Sequence, residues 1–148
     1  MVTFPEIDFY KSKEWTVEEQ ASNAVKWIEK LKSTSCKQQA SFLGGKSYGY
    51  NIFGLGCRLL DIPFYPDEQY SNHFHKAVGL YDKKGTCQRA VFHNNKMYGN
   101  LESLNHIATF ARISKMLRTA HNARLIFKPE VAELIIYHYN PSKLKNTK

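Results

Sequence analysis

Between residues 31 and 60 the sequence has no aspartate or glutamate, and nowhere does it have an apolar run near the ~18 residues of a membrane span. It has no CxxC pair, no internal repeat and no low-complexity segment. Each absence excludes something. Without long apolar runs, no association with membrane is expected. Three cysteines (Cys36, Cys57, Cys87), an odd number without close pairs, fit reduced thiols better than a disulfide framework. The opening "MVTFPEIDFYKSKEW" lacks an apolar h-region and a small-residue cleavage site, so a cytoplasmic location is expected.

What is there suffices for a core. Hydrophobic residues make up 43% and aromatics 14% of 148 residues, which excludes global disorder. A chain of this length forms one domain that buries roughly 68–70% of its unfolded surface. The formal charge of +8 is unevenly spread: residues 1 to 30 carry six acids and four bases, residues 31 to 60 four bases, and residues 91 to 148 nine bases against three acids. The end, "NPSKLKNTK", is basic and almost free of apolar residues, so residues 141–148 read as a mobile tail on a domain of residues 1–140. A pI near 9.4 favours acidic partners, nucleic acid first among them.

Hydrophobic periodicity and punctuation give the organisation. Thr16 and Glu19 form a capping box ahead of Ala21, Ala24, Val25, Ile28 and Leu31, predicting a helix over 17–32. The glycine-studded "SFLGGKSYGYNIFGLG" predicts extended strands, and "FGLGCRLLDI" a short helix ended by Pro63 and Pro66. A second short helix starts near Asn72 and stops at Gly79, before a turn at "DKKG". "TCQRAVFHNNKMYG" predicts a hairpin about its Asn-Asn turn. A helical region from Asn100, with Thr109 as a second cap, runs to about residue 121, and "RLIF" and "ELIIYHY" look like strands, though the latter could continue as helix. The sum is α+β, helices packed on a small, mostly antiparallel sheet.

"ASFLGGKS", residues 40 to 47, comes close to a phosphate-binding loop, with Lys46 as the lysine that would reach the outer phosphates. That loop needs a buried apolar strand before it and a helix after it. Here "STSCKQQASFL" precedes it, and "SYGYNIFG", with Gly49 and Gly54, follows. A glycine turn between two strands is the better reading.

Other constellations are weighed in the same way. Lys46, Tyr48, Tyr50 and Arg58 mix bases and aromatics as single-strand binders do, and a helix over 109–121 carries Arg112, Lys115 and Arg118 as a basic stripe. The bland alternative is tyrosines covering a sheet and the solvated side of a helix. His73, His75, Cys87 and His93 are metal-ligand types, but without tight paired spacing they read as surface histidines and a partly buried thiol. Cys57 or Cys87 beside a histidine could form a reactive thiolate, yet Cys57 sits in an apolar stretch as a small core residue would. Asp67 and Glu68 are adjacent in a proline-rich loop that faces water. No cofactor is expected.

In order and spacing, "WIEKLKS" (27–33), "KQQASFLGG" (37–45), "FGLGCRLLDI" (53–62), "AVGL" (77–80), "LESLNH" (101–106) and "TFARISKML" (109–117) resemble a family of small phage-encoded proteins of unassigned function. The family pattern is W-x-x-x-L-x-S/G, a Tyr-Gln strand, a glycine turn, a "CCLGVLCDL"-like segment, "GL", then L-x-x-L-N-D and F-x-x-I-A-x-x-I. The resemblance covers roughly residues 24 to 128. Two departures bear on any chemistry of the family: its cysteine pair stands here as Phe53 and Gly54, and its aspartate as His106. The resemblance implies a phage or prophage protein acting in a host bacterial cytoplasm and names no substrate; with no convincing catalytic set in the sequence, a non-enzymatic accessory protein that binds a host or phage macromolecule, a protein first, is expected. Nucleic-acid binding is the alternative, and a thiol- or metal-dependent enzyme a further one.

Overall fold

The computed structural model describes residues 13–45, 47–92 and 96–140, and for residues 88–92 and 96–98 the backbone alone. These residues form an α+β domain of seven helices and two antiparallel two-stranded sheets. The tail from 141, and Lys46 and His93 among the candidate residues, lie outside the described part.

Helix α1 (Val17–Ser33) starts as its sequence predicts: the Thr16 hydroxyl accepts from Glu19 N and the Glu19 carboxylate accepts from Thr16 N, each at 3.1 Å. Glu18 and Glu19 in the first turn and Lys30 and Lys32 in the last complement the helix dipole. Its Ala21, Ala24, Trp27, Ile28 and Leu31 are buried, and α1 becomes the central post of the core. The Trp27 ring meets Phe74 edge-on, centroids 4.9 Å apart, and its Nε1 donates to the Ile52 carbonyl at 3.0 Å, which satisfies the one polar atom of a wholly buried side chain.

Strands β1 (Gly44–Gly45) and β2 (Gly49–Tyr50) are shorter than the extended run expected there. Helices α2 (Ile52–Leu59) and α3 (Phe74–Val78) follow, the second stopped by Gly79 in the left-handed region, φ 76°. The expected hairpin is present as β3 (Thr86–Phe92) and β4 (Lys96–Asn100), with Ala90 opposite Tyr98 and a register shift between Thr86 and Ala90. It packs on the later helix Ala120–Ile126, so one helix does rest on this small sheet.

The helical region after Asn100 is broken twice. Helices α4 (Leu101–Ile107), α5 (Phe110–Leu117) and α6 (Ala120–Ile126) are each capped by a side chain at the N-terminus, Asn100, Thr109 and Thr119. The helix expected over 109–121 therefore ends at Leu117, with Arg118 as its C-cap.

The two strands expected at the end of the chain are helical. "RLIF" closes α6, and only Phe127 makes a strand-like contact, an isolated bridge to Leu80. "ELIIYHY" belongs to α7 (Pro129–Tyr139), opened by a proline at its first position. Val131, Ala132, Ile135 and Ile136 are its buried residues, and that spacing of three to four is a helical period rather than the alternation of a strand.

Candidate functional site

The glycine turn is followed by β2 and only then, from Ile52, by the short helix expected from about Phe53, whereas a phosphate loop runs directly into its helix. Gly44 pairs with Tyr50 and Gly45 with Gly49. Gly44 and Gly49 have φ of +88° and +89°, and a Cβ on Gly44 would stand 1.9 Å from the Gly49 carbonyl oxygen, so this tight turn requires glycine. At Ile52, α2 begins.

Its N-terminus is already occupied. Asn51 Oδ1 accepts from Phe53 N at 3.0 Å and Gly54 N at 2.8 Å, and Asn105 Oδ1 accepts from Ile52 N at 3.0 Å. The N–H groups that a phosphate would need are thus spent on two buried amides. The Leu43 carbonyl also lies against Gly54, where a Cβ would be 1.9 Å from its oxygen. The loop is a structural joint, and the sequence match to a nucleotide loop is coincidental.

Asn105 and Gln38 extend the joint. Asn105 Nδ2 donates to the Gln39 and Ala40 carbonyls, both at 2.9 Å. Gln38 Nε2 donates to Asn105 Oδ1 at 3.2 Å and to the Ala108 carbonyl at 2.8 Å, while its Oε1 accepts from Phe110 N at 3.0 Å. Gln38 also bridges in parallel to Tyr50. Four of the segments that carry the resemblance (37–45, 53–62, 101–106 and 109–117) therefore meet around these amides. Sequence reasoning missed both residues. The available signal was Asn105 beside the buried Leu104, a polar residue within an apolar helix face.

The basic and aromatic candidates divide. Tyr48 is 78% exposed, whereas Tyr50 is 6% exposed and unavailable to a base. Arg58 lies over the Tyr50 ring, 5.4 Å from its centroid, and its Nη1 donates to Tyr50 Oη at 3.1 Å and to Cys36 Sγ at 3.7 Å. Arg112 and Lys115 are exposed on α5, but Arg118 is half-buried, its Nε donating to the Ser114 carbonyl at 3.3 Å and its carbonyl accepting from Asn140 Nδ2. Three exposed residues the sequence reading overlooked join this region: Lys32 at the end of α1, Lys37, whose backbone packs on Gly49, and Phe42.

His93, one of the candidate metal ligands, lies outside the described residues, and the metal and thiol alternatives stand on His73, His75, Cys57 and Cys87. Among the described residues no group of three His, Cys, Asp or Glu side chains is placed to hold a metal ion. His73 and His75 are half-buried, and burial followed by the Lys76 charge holds both imidazoles below their usual range; His75 Nδ1 is enclosed without a hydrogen-bond partner. Burial pushes the Cys57 thiol up to about 12 against an opposing hydrogen bond with Ser71, and burial with the nearby Asp82 carboxylate pushes Cys87 up to about 12. Neither is a thiolate near neutral pH. Asp67 and Glu68 are exposed, as expected.

Among the depressions on the surface of the described residues are two of unlike size. One of about 50 Å³ is lined by Leu43, Phe64, Tyr65, Tyr70 and His73. The other, a groove of about 290 Å³, is lined by Val17, Gln20, Tyr81, Lys128, Pro129 and Val131. No helix among the described residues is long and apolar enough to cross a membrane. No protein-family model, no curated protein and no solved structure matches the chain.

Proposed function

We propose that the protein is a phage accessory protein that works without catalysis, by binding a host or phage macromolecule in the bacterial cytoplasm. One observation carries the reading: the chemically versatile side chains point inward and the adhesive ones outward. The amides of Gln38, Asn51 and Asn105 are spent on the joint around α2, and the Cys57 and Cys87 thiols are buried and protonated. Outward stand Tyr48 and Phe42, 78% and 46% exposed, and Lys37, Arg58 and Arg112 are exposed as well. Large aromatic side chains and arginine are the residues that dominate binding surfaces. The resemblance supplies the phage context, and three of its segments hold Lys37 and Phe42, Arg58, and Arg112.

The test is affinity capture of the tagged protein from lysate of the bacterial host, with and without nuclease, beside a Phe42→Ala/Tyr48→Ala variant of unchanged melting temperature. A defined macromolecule held by the wild type and lost by the variant is the expected result. Equal recovery from both, or recovery of nothing, overturns the reading.

A further inference from the structure

We infer that the face around the glycine turn is self-complementary and takes a second copy of this chain about a two-fold axis, an occupant that rests on the binding reading above in so far as Phe42 and Tyr48 are its adhesive residues. Hydrogen bonds lay four short segments side by side there. Tyr50 N donates to the Lys37 carbonyl at 2.8 Å and Gln39 N to the Tyr50 carbonyl at 2.9 Å, while on its other side Tyr50 pairs with Gly44. Gly44 N and Leu43 N in turn donate to the Pro66 and Glu68 carbonyls at 2.8 and 2.7 Å. The row therefore runs from Lys37, through the turn, to Asp67 and Glu68.

Its charges are sorted by sign. Lys37 and Arg58 are exposed at one edge, where Arg58 Nη1 lies 3.7 Å from the Sγ of Cys36, the neighbour of Lys37. Asp67 and Glu68 are exposed at the other. Among the described residues none of these four side chains is paired with an opposite charge. Between the edges stand the open rings of Tyr48 and Phe42. Tyr48 precedes Gly49, where a Cβ would meet Lys37 Cγ at 3.1 Å, and Phe42 precedes Leu43, whose N–H reaches the Glu68 carbonyl. The Gln39 amide ties the two rings together: its Oε1 accepts from Phe42 N at 3.3 Å and its Nε2 donates to the Gly49 carbonyl at 3.0 Å.

A face with cations at one edge, aromatics in the middle and carboxylates at the other suits neither a polyanion nor a polycation, because one edge repels either. A two-fold through the middle sets the basic edge of each copy on the acidic edge of the other and lays the rings of both together. A foreign partner needs the same two signs at the same spacing; a second copy already carries them. The formal charge of +8 opposes association in general, but at 150 mM salt it is screened beyond about 8 Å, and pairs in contact lie inside that length.

Sedimentation equilibrium of the intact chain in 150 mM NaCl, from about 1 to about 300 µM, tests this. Two rings and four charges a side make a small interface, so the mass should rise from 17.1 kDa and level at twice that value, with a midpoint at about tens of micromolar. Lys37→Glu and Glu68→Lys, each with the melting temperature of the wild type, should each stay monomeric, as should Phe42→Ala/Tyr48→Ala. Mixed in equal amounts, the two charge variants should pair, because each then meets the sign that its own copy lacks. Asp67→Lys takes the place of Glu68→Lys if the latter melts early, and Arg58 is left in place because it holds Tyr50. A wild type monomeric at every concentration, a single charge variant that associates as the wild type does, a mixture that does not pair, or a mass that climbs past the dimer overturns the inference. If the wild type stays monomeric while lysate capture succeeds, self-association alone falls; if it dimerises while capture fails, the binding reading falls and self-association stands.

Discussion

Gln38 and Asn105, 67 residues apart in sequence, hydrogen-bond to one another at 3.2 Å, and between them they hold the glycine turn, the start of α2 and the joint between α4 and α5. Asn105 is 4% exposed and Ile52 fully buried, so Ile52 N has no water to turn to when Asn105 is lost. Asn105→Leu leaves Ile52 N and the Gln39 and Ala40 carbonyls without it, and should cost about 3 kcal/mol or more, since each buried orphan costs about 1–3 kcal/mol. Urea unfolding measures it. Asn105→Asp keeps the acceptor but turns a carboxylate toward two carbonyls, so its deficit should shrink as the pH is lowered.

Gly54 and Gly45 should respond unequally to alanine. Within a helix the exchange alone would gain about 1 kcal/mol. At Gly54, however, the new Cβ would stand 1.9 Å from the Leu43 carbonyl oxygen, so Gly54→Ala should destabilise by about 2–4 kcal/mol. A Cβ on Gly45 meets nothing within 4 Å, and Gly45→Ala should stay within about 0.5 kcal/mol of wild type. Melting temperatures of the two variants, measured side by side, decide the point.

Alkaline pH should unfold the protein through its thiols. Cys57 and Cys87 titrate near 9.0 when unfolded and near 12 in the fold, so above pH 9 the unfolded chain gives up protons that the native one keeps. The stability they contribute is whole below pH 9 and drains away as the pH rises toward 12. Cys57→Ala should flatten the fall in melting temperature between pH 9 and 11. Ellman's reagent at pH 8 should label the half-buried Cys36 in the native protein, and Cys57 and Cys87 only after unfolding.

Mild acid works through the histidines. His73 and His75 both sit below the ordinary 6.5, so as the pH falls under 6.5 the unfolded chain takes up protons first and stability declines until the folded imidazoles titrate. The groups around His75 are the Lys76 and Lys128 ammoniums, which deepen the effect, and the Asp82 carboxylate, which opposes it. His75→Gln should lose less of its urea midpoint between pH 7.5 and 5.5 than the wild type does. An equal loss would assign the acid sensitivity to other groups.

Local signals were legible and long-range ones were not. The Thr16–Glu19 box, the stop at Gly79 and the caps at Asn100 and Thr109 are written in adjacent residues, and the fold uses them as read. Residues 124–127 and 133–139 were read as strands, the second with helix as its alternative, because apolar content stood in for period: Val131, Ala132, Ile135 and Ile136 mark a helix face, while "ELIIYHY" taken by itself looks like a strand. Tyr50 and Tyr48 are identical in type and two positions apart. Only the Arg58 contact and the enclosing turn send one inward and leave the other out. Asn105 makes its contacts across 53 to 67 residues, which no window of sequence reveals.

That separation also sets the order of events during synthesis. Helix α1 can coil as soon as it is made, but Gln38 finds Asn105, Ala108 and Phe110 only after some 70 further residues have been added, roughly 3–14 s at 5–20 residues per second. For that interval the apolar side of α1, with Trp27, Ile28 and Leu31, lacks the cover that α5 and α7 later provide. The nascent chain is then a substrate for chaperones, and a nonsense mutation anywhere before Asn105 releases a product that cannot close.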